Sequence, residues 1–88
     1  MAQMNRNSLT TYIRDQRLAA DMSQKELATR LGYSTAQFVS NWERQMAKPP
    51  LKAIAKMVHL LNLDKDKVMV LYEKETARTL RRAFKVRS

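Results

Sequence analysis

Residues 23–43, SQKELATRLGYSTAQFVSNWE, place two helix starts on either side of the only glycine in the chain. Ser23 followed three residues later by Glu26 forms a capping box, in which the serine hydroxyl accepts a backbone N–H and the glutamate reaches back to the serine's own N–H. Met22 and Leu27 flank this start and supply the hydrophobic staple that fixes how the chain enters the helix. Gly32 follows Leu31 where that helix should stop, because a residue without Cβ closes a helix end in the left-handed conformation without strain. The helix is therefore about two turns long. Beyond the bend, Ser34 or Thr35 offers a second N-cap, and Val39, Trp42 and Met46 recur at intervals of three and four to give the next helix an apolar face. Two short helices joined by one tight turn are the result, and neither can bury its apolar side without neighbours.

The other face of the second helix carries Gln37, Ser40, Asn41 and Arg44. Amides, hydroxyls and a guanidinium match base edges and phosphates, and few of them would help a core. A solvated helix face has the same appearance, so charge has to separate the two readings. With 17 Lys and Arg against 8 Asp and Glu, the chain carries +9 on 88 residues. Such a balance favours a polyanion, of which nucleic acid is the commonest, with an acidic membrane surface or an acidic protein as alternatives. The excess is uneven. Residues 1–50 hold seven basic and four acidic groups, a balance of +3, while residues 51–88 hold ten and four, a balance of +6.

Eighty-eight residues suffice for one small domain with a modest core, too little for a substrate cleft between domains. The absence of cysteine removes disulfides and thiolate metal sites and suits a reducing cytoplasm. The N-terminal MAQMNRNS is polar, and the longest strongly apolar run, Val68 to Tyr72, is far short of the ~20 residues a spanning helix needs. A soluble, intracellular protein without membrane contact is expected. Enzymatic chemistry has no support: His59 is the sole histidine, beside core positions, and one glycine cannot build a phosphate-cradling loop. No catalytic residue, metal site or cofactor is expected.

Periodicity predicts five helices and no strand. The first spans about Ser8 to Ala20, with Leu9, Tyr12, Ile13 and Ala20 inward; the second covers Gln24 to Leu31 and the third Thr35 to Gln45. The segment AKPP breaks the third helix, and a fourth follows from Pro50 to Leu61 with Leu51, Ile54, Ala55, Val58 and Leu61 on one face and Met57 and Leu60 to the side. Asp64 caps a fifth helix running from Lys65 to about Val86. The chain divides into a flexible segment 1–7, a helix-turn-helix unit 8–63 and a basic amphipathic helix 64–88.

Several of these motifs together resemble the Cro/cI-type helix-turn-helix family, also called the XRE family, of bacterial and phage regulators: IRDQR, MSQKELATRLG, VSNWER and KPPLKAIAKMVHLLNL, between about Ile13 and Leu63. The resemblance implies an all-α fold, a compact five-helix bundle of lambda-repressor-like type with the C-terminal helix extending from it. It implies a homodimer on a pseudo-palindromic double-stranded DNA operator, with the third helix in the major groove. Between Gly32 and Val39 the chain has one residue more than the usual family spacing, YSTAQF. Counting back from Val39 assigns base reading to Ala36 and Gln37, and counting forward assigns it to Asn41. Counting from Gly32 gives Thr35 and Ala36 instead, so Gln37 and Asn41 are preferred, with Ser40 on the same face. Either amide can pair bidentately with adenine. The resemblance also assigns phosphate contacts to Gln24, with Ser34 in the turn, and to Arg44 and Lys48 after the third helix. Arg17 and Glu43 match a structural pair joining the first and third helices. Phe38 is expected to pack over Tyr33 or Trp42 in preference to a thymine methyl.

Val68, Leu71, Tyr72, Leu80, Ala83 and Phe84 give the fifth helix an apolar stripe, and Arg78, Arg81, Arg82, Lys85 and Arg87 make its end basic. Leu80 and Phe84 lie beyond the part that closes the core and are the candidate dimer contacts. A dimerisation arm, a basic arm on flanking DNA and a solvated tail all fit this pattern. Taken together the sequence points to a DNA-binding transcriptional regulator, expected to be a repressor in the cytoplasm of a bacterial or phage-infected cell. The alternative is an antitoxin-like or adaptor protein whose C-terminal helix binds a protein partner.

Overall fold

Capping and periodicity turn into five helices in the computed structural model, which describes residues 8–85. They are α1 (Leu9–Ala19), α2 (Gln24–Arg30), α3 (Gln37–Glu43), α4 (Leu51–Leu60) and α5 (Lys65–Lys85), with no strand among the described residues. The flexible segment expected over residues 1–7, the end of α5 at Val86, and Arg87 lie outside them.

Each helix start is explained locally. The Ser8 hydroxyl accepts from the Thr11 N–H at the head of α1. At α2 the capping box is complete, with Glu26 N–H to Ser23 Oγ and Ser23 N–H to Glu26 Oε1 both at 2.9 Å. Asp64 caps α5 by accepting from the N–H groups of Asp66 and Lys67.

The helix ends share one device. α1, α2 and α3 each close with a left-handed residue whose N–H and following N–H fold back onto the last turn: Asp21 (φ 56°), Gly32 (φ 94°) and Gln45 (φ 61°), with Met22, Tyr33 and Met46 donating to the carbonyls of Arg17, Ala28 and Asn41. Asn62 (φ 52°) ends α4 in the same way, with Leu63 donating to Val58. Only one of the four is glycine.

Leu9, Ile13, Leu27, Ala28, Val39, Trp42, Met57 and Leu61 fill the centre, and Val68 and Leu71 from the first half of α5 complete it. α1 lies between α3 and α5, and α2 packs on α3. Tyr12 joins α1 to the start of α5: its hydroxyl accepts from the Asp64 N–H and its ring lies 4.5 Å beneath the Lys67 ammonium. Farther along, the Glu75 carboxylate accepts the Leu9 N–H, so α5 satisfies the first orphan donor of α1.

Several expected positions are different. α3 is Gln37–Glu43 in place of Thr35 to Gln45, because residues 33–36 form the turn and Ala36, without a side-chain cap, takes the N-cap position. Neither Ser34 nor Thr35 is the cap, although the Thr35 hydroxyl accepts from the Gln37 N–H at 3.2 Å. Met46 lies past the helix end and is 68% exposed, and Ala20 is exposed as the C-cap of α1. α4 is rotated from its predicted face: Ala53, Ile54, Met57 and Leu61 are buried, whereas Leu51 is 66% exposed and Ala55 faces solvent. α4 has more apolar residues than one face can hold, and packing selects among them.

The single stripe expected on α5 separates into two. Leu71 and Leu80 are nine residues apart, which at about 100° per residue is half a revolution. Accordingly Leu71 is buried while Leu80 is 52% and Phe84 64% exposed, and Ala83 is exposed too. A second, outward row comprises Val70, Ala77, Leu80 and Phe84.

Candidate nucleic-acid interface

The turn between α2 and α3 fixes the orientation of α3. Gly32 occupies a conformation that side chains rarely adopt, and Tyr33 beyond it stacks on Phe38 with ring centroids 4.7 Å apart and meets Trp42 edge-on at 5.7 Å. Phe38, half exposed, covers the outside of Tyr33. Val39 and Trp42 are buried below, so the helix cannot roll without breaking its core contacts.

Its outer strip is then set by periodicity. Gln37, Asn41 and Arg44 stand at successive turns, and the Asn41 Oδ1 accepts from Gln37 Nε2 at 3.0 Å and from Arg44 Nη2 at 3.2 Å. A carbonyl oxygen has two lone pairs, so both are engaged. What remains outward is the Gln37 Oε1 with one Nε2 hydrogen, and the two Nδ2 hydrogens of Asn41. Gln37 thus keeps the acceptor-donor pair that matches adenine, while Asn41 presents donors. Ser40 is half-buried beside this strip, Ala36 is half-buried, and Thr35 and Ser34 are exposed in the turn.

Behind the strip sits a buried polar cluster. Glu43, only 4% exposed, receives the Arg17 Nε at 2.7 Å and Nη2 at 3.0 Å, and the Gln24 Nε2 at 2.9 Å. Arg17 also donates its Nη1 to the Met22 carbonyl at 2.6 Å. Three helices and the α1–α2 turn are thereby tied at one carboxylate. No buried side-chain polar atom among the described residues lacks a partner. Arg14 approaches the same carboxylate at 3.9 Å from the solvent side, a member that sequence reasoning missed although it lies one turn before Arg17. Gln24, half-buried at the head of α2, has turned one amide hydrogen inward to Glu43 and retains the other.

Arg44 and Lys48 are exposed at and after the end of α3. Arg78, Thr79 and Arg82 of α5, absent from the sequence-based site, lie across a cleft from Gln45 and Lys48; their spacing of three and four was the available signal. Leu80 and Phe84 are exposed and do not line this cleft. His59 is exposed on α4, and no group of three or more His, Cys, Asp or Glu among the described residues could hold a metal. No described helix is long and apolar enough to cross a membrane.

At the head of α2 one titratable group departs from its ordinary behaviour. The Ser23 backbone N–H, followed by the Ser23 hydroxyl contact and the charge of Arg30, holds the Glu26 carboxyl below the usual glutamate value, and these outweigh the small opposing effect of desolvation.

A short positioning helix, a locked turn and a second helix with an exposed amide strip define a DNA-binding helix-turn-helix domain. The family model described as helix-turn-helix matches residues 13–68, well over half of the chain, and the chain belongs to that family, the Cro/cI-type or XRE group of DNA-binding regulators. No curated relative and no solved structure matches it.

Proposed function

We propose that this protein is a sequence-specific regulator that binds a pseudo-palindromic double-stranded operator as a homodimer and represses by occupying a promoter. The observation that carries the reading is the α3 strip of Gln37, Asn41 and Arg44, held outward by the buried Glu43 cluster behind it. Gln37 reads adenine through its free oxygen and remaining amide hydrogen. Asn41 orients Gln37 and donates to a neighbouring acceptor, with Thr35, Ala36 and Ser40 lining the approach. Gln24, Ser34, Arg44 and Lys48 hold phosphates and add affinity without sequence choice.

The outward row of α5 supports the homodimer. Val70 and Phe84 lie seven residues on either side of Ala77, and Glu73 and Arg81 lie four residues on either side. Two such helices packed antiparallel about Ala77 set Val70 against the partner's Phe84 and Glu73 against the partner's Arg81. A two-fold contact requires that self-complementarity, and the small residue at its centre lets the backbones approach. Val70, Glu73, Lys74, Ala77, Arg78 and Arg81 already line one shallow groove, Arg78 at its edge toward the domain. The place of action that follows is the cytoplasm of a bacterial or phage-infected cell.

Selection from a randomised duplex pool by the full chain tests this reading. Enrichment of a two-fold-related site, with discrimination at one base position per half-site lost by about 1–3 kcal/mol in Gln37→Ala, is the expected result. Equal binding to all sequences would defeat it and turn attention to a protein partner on α5.

A further inference from the structure

The side of α5 that faces its own domain changes character after Glu75. Val68 and Leu71 are buried on it and Glu75 is half-buried, yet the next residues at helical spacing are Arg78, Thr79 and Arg82. They form one wall of a cleft whose other wall is the α3–α4 loop, with Gln45 and Lys48, and whose end is Ser8. Positions turned toward a protein body are ordinarily apolar. Here they are cationic.

Three features mark this cleft as a cationic site. Lys48, Arg78 and Arg82 have no ion-pair partner among the described residues. The one carboxylate at the cleft, Glu75, accepts the Leu9 N–H, and its charge leaves the lining two positive units in excess. The loop wall is also fixed: Gln45 is held left-handed by the bonds that close α3, and its Nε2 donates to Ser8 Oγ at 3.1 Å.

The cleft begins at Gln45, the residue after Arg44, and so adjoins the strip that enters the groove. We infer that it seats a backbone phosphate of the DNA, held by two guanidinium groups one turn apart and the Lys48 ammonium, with the Thr79 hydroxyl as a further donor. The inference rests on the DNA-binding reading and extends it: α5 serves the duplex with one side and the second subunit with the other. Because a phosphate is the same at every base pair, this contact adds affinity and register and no sequence preference.

The test uses the full chain, a selected operator duplex and a scrambled duplex, with fluorescence anisotropy at several salt concentrations. Arg78→Gln/Arg82→Gln is compared with Lys65→Gln, which removes a charge at the start of α5. For one lost phosphate contact, the slope of log affinity against log salt falls by about 0.9, which reduces the affinity change between about 50 and 200 mM salt by about 3.5-fold. The loss is equal on both duplexes, Arg78→Lys/Arg82→Lys restores part of it, and Lys65→Gln shows none. An unchanged slope in a variant with unchanged helical circular dichroism would overturn the inference. So would a loss of self-association by sedimentation without DNA that fully explained the weaker binding, since the arginines would then belong to the subunit contact. If the unmodified chain fails to prefer the operator, the specific-regulator reading falls, while the slope comparison still decides the cleft.

Discussion

Around Glu43 every strong polar group of the cluster has a partner inside the protein, and the carboxylate alone receives three hydrogen bonds from two helices. In the last turns of α5 the reverse holds: residues 78–85 are exposed, Arg78 and Arg82 have no ion-pair partner among the described residues, and Leu80 and Phe84 stand in solvent. The first region is specified by the chain itself. The second is exposed throughout, and on the proposed function mutations in it should register in binding where mutations in the first register in folding.

The widest separation is expected from charge removal. Glu43→Ala leaves Arg17 buried without its counter-ion and should lower stability by about 3–5 kcal/mol in urea unfolding. Arg82→Ala should stay within about 0.5 kcal/mol. Comparable values for the two would erase the distinction. Next come two leucines nine residues apart on one helix. Leu71→Ala should cost about 2–3 kcal/mol through the cavity it leaves, whereas Leu80→Ala should leave unfolding of the dilute chain nearly unchanged and reduce the dimer fraction in sedimentation. A dimer indifferent to Leu80→Ala would shift the subunit contact elsewhere.

The smallest effect sharpens the picture at α2. Ser23→Ala should cost about 1 kcal/mol. Glu26 adds a pH signature: its carboxyl titrates below the ordinary glutamate value when folded, so its contribution is present above that value and is lost as the pH falls through the folded one. Glu26→Gln should flatten this acid-side slope in the stability profile, and an unaltered slope would assign it to other carboxylates.

The start of α2 was legible because Ser23 and Glu26 interact with each other at a spacing that has few other uses. Gly32 was legible because a residue without Cβ just past a helix marks a left-handed close. The equivalent ends at Asp21, Gln45 and Asn62 were not, since those residue types serve as surface or turn residues in many settings and only the closing hydrogen bonds reveal the left-handed backbone. Within α4, Leu51 and Ala55 looked as suitable for burial as Ala53 and Met57, and the choice belongs to tertiary packing. On α5 the information was present in the numbering: nine residues put Leu80 opposite Leu71, and reading one stripe overlooked it. At the site, the order of Gln37 and Asn41 along the strip was readable, but the engagement of the Asn41 oxygen by two neighbours depends on side-chain geometry that no spacing encodes.

One consequence concerns the order in which the molecule comes into being. The first helical N–H of α1 is satisfied by a carboxylate 66 residues later, and Tyr12 waits 52 residues for the backbone it accepts from. At synthesis rates of about 5–20 residues per second, α1 spends roughly 3–13 s without that closing partner. Although α1 precedes the other four described helices in the chain, it is therefore among the last of them to be finished, and Leu9 and Ile13 wait with it for their full burial.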